Sequence, residues 1–140
     1  MAIEYNFETD FKLEKTSDYT DWIISVVKNY QAFIGDLNYI FCSDSYLLEI
    51  NKKYLNHHTL TDIITFDYTH GNELAADIYI SIDRVKENAQ IYEVLFEDEL
   101  KRVMIHGILH LLGYTDTTDE DKSKMRKQED KMIQMFHVEQ

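Results

Sequence analysis

The run Val103-Met104-Ile105-His106-Gly107-Ile108-Leu109-His110-Leu111-Leu112-Gly113 decides how this chain is built. Wound as a helix it is apolar around its whole circumference except at His106 and His110. A helix that is hydrophobic on every side is a buried one, so the segment predicts a central helix with the other elements packed around it. The i,i+4 spacing stacks the two imidazoles on one face, one turn apart, which suits two ligands of one metal ion. Gly107 removes a side chain between them and lets another element approach closely. Gly113 ends the helix in the manner of a C′ glycine. Asp116 follows the turn at Gly113 and Tyr114, where a carboxylate can fold back over the histidines, giving the pattern H-x3-H-x5-D. Two readings stand for each member. The histidines are metal ligands or hydrogen-bonded core residues, and burying two unpartnered imidazoles costs a few kcal/mol each. Asp116 is a third ligand or, beside Thr117 and Thr118, a helix cap. A zincin-type protease needs Glu directly after the first histidine, and that position is Gly107.

Outward from this helix, periodicity predicts the remaining elements. Ile3–Glu8 alternates as a strand. Residues 18–34 place Ile23, Val26, Val27, Tyr30 and Ile34 on one helical face, and Gly35-Asp36 breaks the pattern. Leu37–Cys42 reads as a strand, and Ser43 or Asp44 caps a helix running to about Tyr54. Asp62–Tyr68 and Ala75–Ile82 flank the turn signal His70-Gly71-Asn72 and predict a hairpin. Helices follow over 84–95 and 98–112. Thr117 with Glu120 is a capping-box pattern that opens a last helix to about Phe136, with Met125, Met132, Ile133 and Phe136 as its core face. The order predicts an α+β fold: a four-stranded mixed sheet packed with about five helices, the metal site lying on the central buried helix.

The 140 residues fall within the range of one domain and predict a single domain over 1–140. An apolar content of 44 % excludes a disordered chain. The single cysteine, Cys42, excludes a disulfide framework or a multi-cysteine metal knuckle and fits a reducing, cytoplasmic setting. No apolar run approaches the ~20 residues of a membrane span. The N-terminal Met1-Ala2-Ile3-Glu4-Tyr5 lacks the basic-then-apolar order of a secretory leader. With 14 basic against 26 acidic residues, the net charge of −12 excludes a protein that coats polyanions generally, though not a local basic groove. Lys122, Lys124, Arg126 and Lys127 form a basic cluster near the end, read either as a contact to a phosphate backbone or as a solvated helix face pairing with Glu129 and Asp130.

Four blocks together resemble the YbeY family of endoribonucleases. His106-Gly107-Ile108-Leu109-His110-Leu111-Leu112-Gly113-Tyr114-Thr115-Asp116 is similar to its signature H-G-x-L-H-L-x-G-Y-D-H. Asn51-Lys52-Lys53-Tyr54 resembles its L-N-x-x-Y-R helix end, Thr61-Asp62-Ile63-Ile64-Thr65-Phe66 its T-D-V-L-S-F strand, and Ala76-Asp77-Ile78-Tyr79-Ile80-Ser81 its G-D-I-x-I-S strand. The resemblance implies a metal-dependent endonuclease selective for single-stranded RNA, acting in ribosomal RNA maturation at the 3′ end of 16S rRNA and in ribosome biogenesis. It implies one zinc ion per chain, held and used by His106, His110 and, in place of the family's third histidine, Asp116. Implied partners are single-stranded RNA, ribosomal RNA and the small ribosomal subunit; separately, a cytoplasmic monomer without membrane contact is expected.

The departures are informative. The family arginine after N-x-x-Y is Leu55 here, so Lys52, Lys53, His57 and His58 are expected to supply the substrate-binding cation. Replacing a neutral histidine by Asp116 lowers the charge of the loaded site and makes it more tolerant of Mn2+ or Fe2+. Asp62, Asp67 and Asp77 are carboxylates that can orient ligands or water near a metal, and Tyr54, Tyr68 and Tyr114 are either base-stacking or packing residues. Two other functions remain compatible with the sequence: a ribosome-associated assembly factor with a structural metal, and a metal hydrolase of another substrate class.

Overall fold

The computed structural model describes residues 2–136. The elements run β1 Ala2–Phe7, α1 Thr16–Asn29, β2 Phe33–Cys42, α2 Asp44–Leu55, β3 Ile63–Asp67, β4 Glu73–Ser81, α3 Ile82–Ile91, α4 Phe96–Leu111 and α5 Asp119–Gln134. The sheet order is β1-β2-β4-β3. The β1–β2 and β2–β4 pairs are parallel and β3–β4 is antiparallel, so the sheet is mixed, as the element order predicts.

Alternation along the strands decides what each sheet face buries. Leu37, Tyr39 and Phe41 of β2 and Ala76, Ile78 and Ile80 of β4 are buried and join the main core with α1 and α4. The opposite face carries a smaller cluster in which Leu47 of α2 packs with Cys42 and Ile64. The histidine helix α4 is the buried one. Its Val103, Met104, Ile105, Ile108 and Leu109 are at most 3 % exposed. Two buried polar groups tie it and its neighbour in place. Tyr39 Oη donates to the Met104 carbonyl (3.0 Å), and Trp22 Nε1 donates to the Met132 carbonyl on α5 (2.7 Å). Each satisfies a polar atom that burial would otherwise strand.

Gly107 explains how close α4 comes to the sheet. A Cβ there would lie 3.1 Å from Ile78 Cδ1 and 3.2 Å from Ile63 Cδ1, which is tighter than side chains pack without displacement.

Several boundaries differ from the sequence reading. The first helix ends at Asn29, and Ile34 belongs to β2. Gln31, at φ 59, turns the chain early. Gly35-Asp36 is therefore a register irregularity inside β2, between Ile34 and Leu37, and not a helix terminator. A Cβ on Gly35 would sit 2.8 Å from Glu73 Cγ across the sheet, so a larger residue there would have to displace that exposed side chain. The third helix begins at Ile82 and ends at Ile91, because Ser81 Oγ caps it by accepting from the Arg84 amide (3.3 Å) and Glu93 turns at φ 56. The last helix is capped by Thr118, not Thr117: Thr118 Oγ1 accepts from the Asp121 amide (3.0 Å).

Candidate metal centre

The helical spacing of α4 brings the two histidine rings together at their Nε2 atoms, 3.0 Å apart. The turn after α4 returns the chain so that Asp116 Oδ2 lies 3.4 Å from His106 Nε2 and 3.7 Å from His110 Nε2. One donor atom from each of the three residues falls within 4.8 Å of the other two. Asp116 does not cap α5, since Thr118 holds that position. The helix is buried, but its histidine edge is not: the His106 and His110 side chains are 21 % and 34 % exposed. Both face a groove, so an ion held there stays accessible to a substrate.

The other ring nitrogens fix how the imidazoles present themselves. His110 Nδ1 lies 3.1 Å from the Tyr114 carbonyl oxygen, which can only accept, so Nδ1 carries the hydrogen. His106 Nδ1 lies 2.7 Å from Glu129 Oε2. Glu129 Oε1 accepts from Arg102 Nη1 (2.8 Å), and Arg102 Nη2 donates to Asp130 (2.6 Å). With both Nδ1 hydrogens engaged, two Nε2 lone pairs and a carboxylate oxygen converge on one point. Three acceptor atoms at contact distance form a group that can hold a metal ion. The set of two imidazoles and one carboxylate, each ring held from behind by an acceptor, is one that divalent transition ions take. Electrostatics agree. Burial, the largest single influence on His106, lowers its pKa, but the hydrogen bond and charge of Glu129, then Asp116 and Asp62, outweigh it and leave the pKa raised. The surroundings therefore favour positive charge at this ring.

The sequence profile described as Endoribonuclease YbeY matches residues 3–137. The protein named Endoribonuclease YbeY from Flavobacterium psychrophilum is 54 % identical over 138 residues, covering 99 % of both chains. This chain belongs to the YbeY family. The Bacteroides fragilis protein of that name is 44 % identical over 139 residues, covering 96 % of this chain and 98 % of its own. The solution structure of TM1509 from Thermotoga maritima superposes with a TM-score of 0.66 at 25 % identity, covering 96 % of this chain and 89 % of that one.

In this YbeY chain two clefts meet at the histidines. One, of about 340 Å3, runs along α4 and α5 and is bordered by Arg102, Lys122, Arg126 and Tyr92. The other, of about 530 Å3, runs along β3 and is bordered by Thr61, Thr65 and Asp67. His106, Asp116, Asp62 and Ile63 line both, so the site sits mid-groove. Of the three carboxylates singled out in the sequence, Asp62 and Asp67 reach the groove. Asp77 instead accepts from Asn38 Nδ2 (3.0 Å) between β2 and β4. Burial raises the Asp62 pKa, with His106 the strongest opposing influence. Lys52, Lys53, His57 and His58 are exposed on α2 and the following loop and line neither cleft. Lys52 lies 3.9 Å from Glu49, and Lys53 sits over the Tyr54 ring. Their loop is fastened by Asn51, whose Nδ2 donates to the Thr59 carbonyl (2.9 Å), and it delivers Thr61 to the groove.

The basic cluster on α5 divides. Lys122 and Arg126, one turn apart, border the cleft, while Lys124 pairs with Glu120 in solvent (3.3 Å). Glu129 and Asp130, expected to pair along α5, are both taken by Arg102 from α4. Arg102 and Glu129 are the site residues that sequence reasoning missed. Each left a signal. Arg102 stands at i−4 from His106, on the histidine stripe. Glu129 interrupts the buried stripe of Met125 and Met132, where an unpaired charge would be costly.

Proposed function

We propose that this protein is a metal-dependent endoribonuclease cleaving single-stranded RNA, with residues 1–140 acting as one catalytic domain. The observation that carries the reading is the convergence of His106 Nε2, His110 Nε2 and Asp116 Oδ2 at mid-groove with both Nδ1 hydrogens already engaged. Membership of a family named for endoribonuclease activity supplies the substrate class. His106, His110 and Asp116 hold one divalent ion, zinc first, with manganese or iron(II) tolerated because one donor is a hard carboxylate oxygen. When bound, the ion supplies Lewis acidity toward a phosphodiester and toward water.

The chain's own residues do the rest. Glu129 and the Tyr114 carbonyl accept from the two Nδ1 atoms, so that in the neutral rings both Nε2 lone pairs are turned to the ion. Asp62, at the junction of both clefts, accepts or returns a proton at its carboxylate oxygen beside the reacting phosphate. Lys52, Lys53, His57 and His58, on the loop leading to Thr61, form an outer contact for the RNA backbone in place of the cation absent at Leu55. The substrate proposed is ribosomal RNA at the 3′ end of 16S rRNA, met on the small ribosomal subunit by a cytoplasmic monomer. Among the described residues no helix is long and apolar enough to cross a membrane. The test combines elemental analysis with cleavage of a single-stranded RNA by wild type and His110→Ala. About one divalent ion per chain and chelator-sensitive cleavage, both lost in the variant, are expected. Metal bound without cleavage of any RNA would refute the enzyme reading.

A further inference from the structure

The α5 side of the groove holds a combination that metal chemistry alone does not need. Lys122 and Arg126, spaced i,i+4, project over the same cleft as His106 and Asp116, and neither makes an ion pair among the described residues. Across the cleft, at the end of α3, Tyr92 is 57 % exposed and has no aromatic partner among the described residues. Asn88, one turn before it, lines the cleft as well. A chain of net charge −12 repels a polyanion over most of its surface, so two unpaired cations beside the site carry particular weight. We infer that Lys122, Arg126 and Tyr92 form a nucleotide subsite for single-stranded RNA next to the metal centre, the cations holding backbone phosphates and the Tyr92 ring stacking on an unpaired base.

The inference rests on the ribonuclease reading and deepens it by saying which way the strand leaves the reacting phosphate. An exposed tyrosine sharing a cleft with two cations is the arrangement by which single strands are held without a sequence code: the ring accepts any base face and the cations track the backbone. Asn88 adds an amide within the same cleft, able to donate to and accept from a base edge. The cleft's charge makes this binding conditional. Asp62, Glu99, Asp116 and Glu129 set four carboxylates against the three cations Arg102, Lys122 and Arg126. A divalent ion at the histidines reverses that balance, so the subsite takes a phosphate chain when the ion is present and rejects it otherwise.

The test is fluorescence anisotropy with a short, labelled, phosphorothioate-linked single-stranded RNA, with and without Zn2+, over a series of salt concentrations. Lys122→Gln/Arg126→Gln is expected to weaken binding roughly tenfold and to reduce the salt slope by about 1.4, two phosphate contacts on a single strand. Lys124→Gln/Lys127→Gln carries the same charge change on the same helix outside the cleft, and should alter the slope far less. Tyr92→Leu should weaken binding by roughly five- to a hundredfold, while Tyr92→Phe retains it. Removing Zn2+ should abolish the difference between the two lysine-containing doublets. Equal losses in both doublets, or wild-type binding by Tyr92→Leu, overturn the subsite while leaving cleavage intact. A metal-loaded wild type that neither binds nor cuts single-stranded RNA overturns the ribonuclease reading with it.

Discussion

Glu129→Gln is the sharpest perturbation of the proposed metal centre, because it changes one charge and almost no volume. The carboxylate accepts on both sides: from His106 Nδ1 at 2.7 Å and from Arg102 Nη1 at 2.8 Å. A glutamine has one acceptor and one donor end, so it cannot serve both. If its oxygen faces His106, its NH2 meets the guanidinium, donor against donor, across a site where Glu129 is only 4 % exposed. If its NH2 faces His106, Nδ1 must give up its hydrogen, which moves to Nε2 and blocks the lone pair that a metal needs. Either arrangement removes support from the ring. Changes of this kind behind a ligating histidine cost about 10- to 100-fold in metal affinity, or roughly 1.4–2.8 kcal/mol. The assay is competition with a chromophoric chelator, with thermal unfolding of the metal-free protein alongside to separate loss of fold from loss of affinity. Arg102 keeps Asp130 at 2.6 Å, so the metal-free fold should survive. A variant that binds Zn2+ within threefold of wild type would refute the tautomer argument.

Asp116→Asn should cost much of the metal affinity by removing the charge of the proposed ligand, and Asp116→His should retain metal and shift preference from Mn2+ toward Zn2+, both read by titration. Glu99→Gln should stabilise the protein near neutral pH. Burial, then the Asp62 charge, raise the Glu99 pKa, with Arg102 and Arg126 opposing. An acid raised on folding costs nothing below its unfolded value of about 4.3 and destabilises as pH climbs through its folded value. The stability gap between Glu99→Gln and wild type in urea melts should therefore narrow as pH falls toward about 4. Gly107→Val forces atoms against Ile78 and Ile63, already 3.1 and 3.2 Å from a bare Cβ, and should cost about 1–3 kcal/mol in a urea titration. Alanine at Lys52, Lys53, His57 and His58 together should flatten the salt dependence of RNA binding, and an unaltered slope would remove them from the backbone contact.

Local chemistry made half of this molecule legible. The 3.6-residue period, wherever it met a clean apolar stripe, placed α4 and α5. The i,i+4 histidines and the glycine between them are facts of a single helix, and a helix presents them the same way in any context. Strand alternation and the His70-Gly71-Asn72 turn gave the β3–β4 hairpin, again because both depend on neighbours in the chain. Boundaries slipped where the chain turned without its usual residues: Gln31 and Glu93 adopt positive φ, and no composition rule marks a glutamine or glutamate for that conformation.

The tertiary structure decided everything that depends on two segments meeting. Asp116 stands between two threonines and reads equally as a cap, until the fold gives the cap to Thr118 and sets the carboxylate 3.4 Å from His106. Glu129 and Arg102 are 27 residues apart, and along the chain each resembles an ordinary charged residue on a helix surface. Packing α5 against α4 turns them into the support of a histidine. The Lys122–Lys127 cluster is uniform in sequence, yet the helix divides it between cleft and solvent. Backbone and side-chain preferences act over a few residues and are written locally. A binding site is a convergence in space, and its members are selected by which faces the hydrophobic core leaves opposite one another.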